Sequence, residues 1–152
     1  MKKYIILELI PTASTKEKGD IIQLSAIKLN ELTLMDRFDY RITDDKIPLT
    51  DLKEMINYDN DKFIYKNTTE EILNDFKKWS EGLPLLILYN SYTLDYLKEL
   101  NNKKEDISKY LNMSYTDDMI DNIIKKYNLE LSNYIVDLLY EALIYESNNS
   151  NI

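Results

Sequence analysis

The stretch Tyr4-Ile-Ile-Leu-Glu-Leu-Ile10, followed after a polar loop by Ile21-Ile-Gln-Leu-Ser-Ala-Ile-Lys28, decides the fold. Both runs are rich in β-branched and aliphatic residues, which predicts two buried strands over 4–10 and 21–29. Pro11 ends the first strand, because proline is excluded from the middle of a sheet. A third strand is predicted over Leu32–Ile42, where apolar residues alternate, and the short connection at Asn30-Glu31 indicates a hairpin.

A helix begins after residue 68. Thr68-Thr-Glu-Glu71 is a capping box, in which Thr68 is the N-cap and Glu71 reaches back to it. Gly82 predicts the end of this helix, and the apolar run Leu83–Tyr89 after it is typical of an interior strand in a helix-covered sheet. The helix is predicted to bury Ile72, Leu73, Phe76 and Trp79. Further helices are predicted over Ser91–Leu100, Asp117–Tyr127 and Leu131–Tyr145, with a short helical stretch at Leu52–Ile56 and a Lys/Asn-rich loop after Leu100.

The order of these elements is strand, hairpin, helix, strand and helices. This order predicts an α/β domain with a mixed central sheet flanked by helices. The chain of 152 residues has no repeat or linker, so we expect one domain over residues 1–146 and a polar C-terminal tail over 147–152.

Composition excludes several kinds of chemistry. The chain has no His and no Cys, which removes the commonest general base and all thiolate chemistry. Its two glycines are too few for a glycine-rich phosphate loop. The net charge of -8 disfavours a general nucleic-acid binder, which normally carries a basic surface. No segment is apolar enough to span a membrane, and a cytoplasmic protein is expected.

Several strings, in order, resemble the DEDDh (DnaQ-like) family of 3′–5′ exonucleases. The branch they resemble is the proofreading exonuclease domain or subunit of bacterial DNA polymerase III. The resemblance covers nearly the whole chain and implies a ribonuclease H-like fold. The strings that carry it are residues 4–8, 21–28, 47–72 and 86–91, and the terminal helix from Asn133.

The three family motifs are altered in this chain. D-x-E-T-T-G corresponds to residues 8–13, H-N-x-x-F-D to 89–94, and H-x-A-x-x-D to 133–138. The Asn of the second motif is kept as Asn90, and Glu8 replaces the first Asp. The remaining catalytic positions are occupied by Ile10, Leu94, Asn133 and Leu138.

These replacements bear directly on the chemistry that the resemblance implies. Two-metal phosphodiesterases need several carboxylates to hold two divalent cations. One acid cannot do this, and Asn133 has no useful basicity in place of the His that would act as base. We therefore predict no catalytic residue, no bound metal and no cofactor. Because all three lost acids became aliphatic, the centre is expected to be part of the apolar core.

Alternatives remain for the same residues. Glu8, Asp95 and Asp137 are candidates for a reduced Mg²⁺ or Mn²⁺ site. Surface acids are the favoured interpretation of the two aspartates, and a strand-edge carboxylate that pairs with a lysine or caps a backbone N–H is the favoured interpretation of Glu8. Residues Tyr89, Asn90 and Tyr92 are candidates for a groove that stacks bases. Ordinary aromatic packing is the favoured interpretation of the tyrosines, Tyr96 included. The lysine pairs 103–104 and 125–126 are more typical of solvated surface than of phosphate contacts.

The functional prediction is a catalytically inactive exonuclease-fold domain that acts by binding. A protein partner is favoured, and single-stranded nucleic acid comes second. The first alternative is a weak or divergent metal-dependent 3′–5′ exonuclease. The second is a regulator or inhibitor that competes with an active homologue.

Overall fold

The computed structural model describes residues 2–43, 63–130 and 134–150. Six strands in this part of the chain form one mixed sheet in the order β4-β3-β2-β1-β5-β6. The strands are β1 (Lys3–Pro11), β2 (Ile21–Asn30), β3 (Thr33–Ile42), β4 (Ile64–Lys66), β5 (Leu85–Ile87) and β6 (Lys104–Asp106). The helices are α1 (Thr69–Ser80), α2 (Ser91–Leu97), α3 (Ile107–Tyr110), α4 (Met119–Tyr127) and α5 (Ile135–Ser150).

The first three strands form an antiparallel meander, and the remaining strands pair in parallel. Glu8 of β1 lies opposite Ser25 of β2, and Ser25 lies opposite Asp39 of β3. The predicted hairpin between β2 and β3 is present, and Glu31 turns the chain with a φ of 56°. Strands β4, β5 and β6 pair in parallel with β3, β1 and β5, respectively. The predicted α/β class and mixed sheet are confirmed.

Alternation along β1 divides the core between the two faces of the sheet. Ile5, Leu7 and Leu9 pack in one apolar cluster, which also contains residues of α1 and α2. Tyr4 and Ile6 pack in a second cluster, with residues of α3, α4 and α5. Since successive side chains of a strand point to opposite faces, β1 lies buried between two helical layers.

Helix α1 begins as the sequence predicts. The Thr68 hydroxyl accepts a hydrogen bond from the Glu71 backbone N–H at 3.1 Å. It also donates to the Glu71 carboxylate at 3.2 Å. Helix α1 ends at Ser80, where Glu81 takes a left-handed conformation just before Gly82.

Other elements differ from the predictions. The segment expected to be a loop after Leu100 contains β6 and α3. Helix α2 ends at Leu97, short of the predicted Leu100, and α5 continues to Ser150 beyond the predicted Tyr145. The predicted helical stretch at 52–56 lies outside the described residues. None of the helices in the described ranges has the length and apolar character needed to cross a membrane.

Candidate functional site

Glu8 is the one acidic residue of the first motif, and it lies near the end of β1. Its side chain is half-buried, and burial raises the pKa of Glu8 from its ordinary value of 4.5 to about 8. Within the described residues it has no hydrogen bond or ion pair that would offset the desolvation of its charge. Tyr92 interacts electrostatically with Glu8, since the pKa of Tyr92 is raised by burial and then by the charge of Glu8. Glu8 is therefore mostly protonated at neutral pH.

The aliphatic residues at the other motif positions are packed in apolar surroundings. Ile10 and Leu94 are half-buried and pack against the cluster formed by β1, α1 and α2. Leu138 on α5 is only 1% exposed. Leu139 and Ala142 on the same helix are fully buried. These positions thus contribute to the core. Asn133, the residue in place of the motif histidine, lies outside the described residues.

The retained Asn90 has a structural role. It is the N-cap of α2, and its side-chain oxygen accepts a hydrogen bond from the Thr93 backbone N–H at 2.9 Å. Such a contact satisfies one of the free N–H groups of the first helical turn. The Asn90 side chain therefore has a role in the fold itself.

The three tyrosines around this helix differ in exposure. Tyr96 is buried, and its hydroxyl donates to the Ala13 carbonyl at 3.0 Å. Tyr92 is half-buried and packs against the same apolar cluster as Leu94. Tyr89 is 40% exposed, and its hydroxyl donates to the Lys104 carbonyl at 3.1 Å. Of the proposed groove residues Tyr89, Asn90 and Tyr92, only Tyr89 is exposed, and the other two are half-buried.

The two aspartates considered as substitute metal ligands each have another partner. The Asp95 carboxylate accepts the Lys16 backbone N–H at 2.7 Å, and this bond, with nearby lysines, lowers the pKa of Asp95. The Asp137 carboxylate pairs with the Arg37 guanidinium at 2.7 Å. Throughout residues 2–43, 63–130 and 134–150, no group of three or more acids is arranged to hold a metal ion.

The loop between β1 and β2 is held against the helices. The Lys16 ammonium pairs with Glu99 at 2.9 Å and with Glu70 at 3.2 Å. Gly19 approaches Tyr96 so closely that a Cβ there would lie 2.7 Å from the Tyr96 hydroxyl. Any side chain at residue 19 would therefore displace the contact between this loop and α2.

A buried polar network on β2 and β3 was not predicted from the sequence. Arg41 is fully buried, donates from Nε to Gln23 at 2.9 Å, and lies over the Phe63 ring at 3.8 Å. Next to it on the same face of β3, Arg37 pairs with Asp39 at 3.1 Å. The alternation of polar and apolar residues in β3 predicts the strand. It does not predict these side-chain contacts, because they depend on neighbouring strands.

A second polar region lies along the edge strand β6. Tyr89, Tyr110, Lys103 and Lys109, together with the strand itself, line a cleft of about 350 Å³. Neither Glu8 nor Tyr92 lines it. Sequence reasoning missed this cleft because β6 was predicted to be a loop.

Comparisons with known proteins identify the fold. No protein-family model matches the sequence, and no curated protein matches it. The zinc-bound crystal structure of the E. coli ExoI–ssDNA complex is similar, with a TM-score of 0.58 and 11% identity over 99% of this chain and 41% of that chain. A product-bound structure of exonuclease I has a TM-score of 0.55 and 12% identity over 97% of this chain and 43% of that chain.

This chain spans less than half the length of either of these exonuclease chains. At such low identity the likeness concerns the fold alone. The chain therefore has the ribonuclease H-like fold of exonuclease I, with a mixed six-stranded sheet and flanking helices.

Proposed function

We propose that this chain is a catalytically inactive exonuclease-fold domain, a degenerate DEDDh-type pseudoenzyme that acts by binding. The observation that carries the proposal is the state of Glu8. It is a half-buried acid with a pKa of about 8, without a partner in the described residues, in a position where metal ligands are required. A carboxyl group that is mostly protonated at neutral pH is a poor ligand for Mg²⁺ or Mn²⁺.

The surroundings of Glu8 support the same conclusion. A two-metal mechanism requires several carboxylates around both cations. Ile10, Leu94 and Leu138 supply none, and Asp95 and Asp137 have other partners. The chain contains no histidine to accept a proton from attacking water.

We favour a protein as the main partner of the domain. The net charge of -8 opposes broad contact with a phosphate backbone. Single-stranded nucleic acid is the second choice, and the similarity to an exonuclease solved with ssDNA supports it at the level of fold. Both choices are consistent with a domain that competes with an active homologue for a shared partner.

The deciding experiment is degradation of end-labelled single-stranded DNA and RNA at high protein concentration, with Mg²⁺ and then Mn²⁺. Glu8→Gln, which removes the acid and keeps the shape, is the matched control for contaminating nuclease. We expect no shortening, or equal shortening in both proteins. Metal-dependent shortening that is lost in Glu8→Gln would overturn the proposal and establish a divergent 3′–5′ exonuclease.

Metal binding is measured separately from turnover. Paramagnetic Mn²⁺ broadens the amide signals of residues near its site, so a titration followed by NMR locates any bound ion. We expect no selective broadening around residue 8 in the wild-type protein. Selective broadening there that disappears in Glu8→Gln would contradict an apolar, metal-free centre.

A further inference from the structure

The cleft along β6 combines aromatic and basic side chains at an edge of the sheet. Its volume of about 350 Å³ lies at the lower end of the range for small-molecule sites. Strand β6 pairs with β5 on one side and is the last strand of the described sheet on the other. The cleft is thus open to solvent without any rearrangement of the core.

Both tyrosines of the cleft are exposed and anchored. Tyr89 and Tyr110 are 40% and 42% exposed. The Tyr89 hydroxyl donates to the Lys104 carbonyl at 3.1 Å, and the Tyr110 hydroxyl donates to the Glu105 carboxylate at 3.3 Å. Since both hydroxyls are tied to adjacent residues of one strand, the rings are held in place while much of their surface remains accessible. Anchored aromatic rings of this kind are suited to stacking with a planar ligand.

The acidic groups of the cleft are occupied by contacts within its wall. The Asp106 carboxylate accepts hydrogen bonds from the Ser108 backbone N–H at 3.0 Å and from its hydroxyl at 2.7 Å. Glu105 accepts from Tyr110 and lies 3.5 Å from the Lys103 ammonium.

The lysines of the cleft are less constrained than these acids. Lys104 is the exception, since its ammonium donates to the Leu100 carbonyl and burial lowers its pKa. Lys103 is 74% exposed and has only the distant contact with Glu105. Lys109 forms no ion pair with any described residue. The Lys109 ammonium, which has no ion pair in the described residues, and the largely exposed Lys103 ammonium therefore lie beside two accessible aromatic rings.

We propose that this cleft binds a nucleotide, with its base stacked on Tyr89 or Tyr110 and its phosphate paired with Lys103 and Lys109. The nucleotide is either a free mononucleotide or one unit of a single strand, because the recognised chemistry is the same. The proposal concerns a site that does not include Glu8, and it holds whether or not the domain has lost nuclease activity. The local excess of lysine over acid in the cleft contrasts with the negative charge of the whole chain.

The test is an NMR titration of the ¹⁵N-labelled full chain in EDTA, which prevents any metal-dependent hydrolysis. The probes are AMP, adenosine, inorganic phosphate and a short oligodeoxyadenylate. We expect AMP or the oligonucleotide to shift the amide signals of residues 89 and 103–110 at lower concentration than adenosine or phosphate. A preference for AMP identifies a free nucleotide as the ligand, and a preference for the oligonucleotide identifies a strand.

Single substitutions distinguish the loss of base stacking from a general loss of folded structure. Of Tyr89→Ala and Tyr110→Ala, the variant that removes the ring on which the base stacks should weaken binding about five- to hundredfold, the range expected for loss of one aromatic stacking partner. Tyr89→Phe keeps the ring and should retain binding, which guards against a folding defect in the alanine variant. Tyr145→Ala, at a tyrosine that is 50% exposed on α5, is the matched control and should have no effect.

The charged side chains are tested in the same titration. Lys109→Gln should weaken binding and reduce its dependence on salt, whereas Lys125→Gln on α4 should change neither. Absence of localised shifts with every probe would overturn the proposal. Binding of phosphate as tight as that of AMP, or binding unaffected by either tyrosine substitution, would overturn it as well.

Discussion

The end of β1 and the cleft along β6 differ in how their polar groups are placed. At the end of β1 the motif positions are aliphatic, and the remaining acid, Glu8, is half-buried without a partner in the described chain. Along β6 the acids have hydrogen-bond partners, while two tyrosines and two lysines are accessible. The end of β1 is therefore mainly apolar, whereas the edge strand β6 carries accessible aromatic and basic side chains.

The difference shows why correspondence of position is weak support for activity. A ribonuclease H-like fold brings the same strand and helix ends together whatever residues occupy them. In this chain the fold holds Ile10, Leu94 and Leu138 in apolar packing. The chemistry possible at this place depends on which side chains are ionised and which are buried, and both properties can be measured.

The largest effect is expected from placing an acid back at residue 138. Leu138→Asp would put an unpaired carboxylate where the native side chain is 1% exposed, and we expect the free energy of unfolding to fall by about 3–5 kcal/mol at pH 7. The measurement is urea denaturation. Leu138→Asn is the matched control, and the difference between the two variants should shrink near pH 4, where the acid is protonated.

The same variant tests whether the end of β1 can hold a cation. If millimolar Mn²⁺ restored the stability of Leu138→Asp but not of Leu138→Asn, residue 138 and Glu8 would be close enough to share a cation. The backbone at the end of β1 would then have a geometry suited to a metal ion, and only the acidic side chains would be missing. No restoration is expected.

The second effect is a pH dependence due to Glu8. Its pKa is about 8 in the folded protein against 4.5 ordinarily, so the folded state binds a proton more tightly than the unfolded state. The contribution of the Glu8 proton to the free energy of unfolding is fully present below pH 4.5 and is lost as pH rises through about 8. Allowing for partial solvent access, we expect a loss of about 2 kcal/mol across this window.

Thermal or urea denaturation from pH 5 to pH 8.5 checks this expectation. Glu8→Gln should remove the decline that Glu8 causes and be more stable than the wild type at the upper end. Glu17→Gln, at an exposed position in the loop after β1, should leave the profile unchanged. A Glu8→Gln profile identical to that of the wild type would mean that Glu8 is ionised and solvated.

The third effect concerns the retained motif residue Asn90. Because its side chain caps α2, Asn90→Ala should lower the free energy of unfolding by about 1 kcal/mol. Asn90→Asp should preserve stability, since aspartate is an equally good N-cap. Denaturation of the three proteins gives the comparison. An Asn90→Ala variant as stable as the wild type would leave this side chain without a structural role.

The antiparallel part of the sheet and the start of α1 could be predicted because their signals are local. Strands β1 to β3 follow from runs of apolar residues and alternation, and Thr68 follows from the spacing of its capping partner. Strand β6 could not be predicted, because Lys-Glu-Asp is a polar tripeptide. It is a strand only because Leu85, Leu86 and Ile87 pair with it.

The candidate site was predictable only in part for the same reason. The resemblance to the exonuclease family predicts motif positions at 8–13 and 89–94, and these stay predictions. The partners of Asp95 and Asp137 could not be predicted, since they lie 79 and 100 residues away in sequence. The cleft along β6 depends on a strand that only tertiary pairing creates.

The smallest effect is expected from the ion pair between Arg37 and Asp137. Both side chains are 31% exposed, so a double-mutant cycle with Arg37→Gln and Asp137→Asn should give a coupling energy below about 1 kcal/mol that decreases with added salt. Asp121→Asn, at an exposed position on α4, is the control for the loss of one negative charge. A coupling energy above about 2 kcal/mol, insensitive to salt, would place Asp137 in a desolvated group of charges. Such a result would make Asp137 resemble Glu8 in its surroundings. The contrast between a paired surface acid and a half-buried acid without a partner in the described residues would then no longer hold.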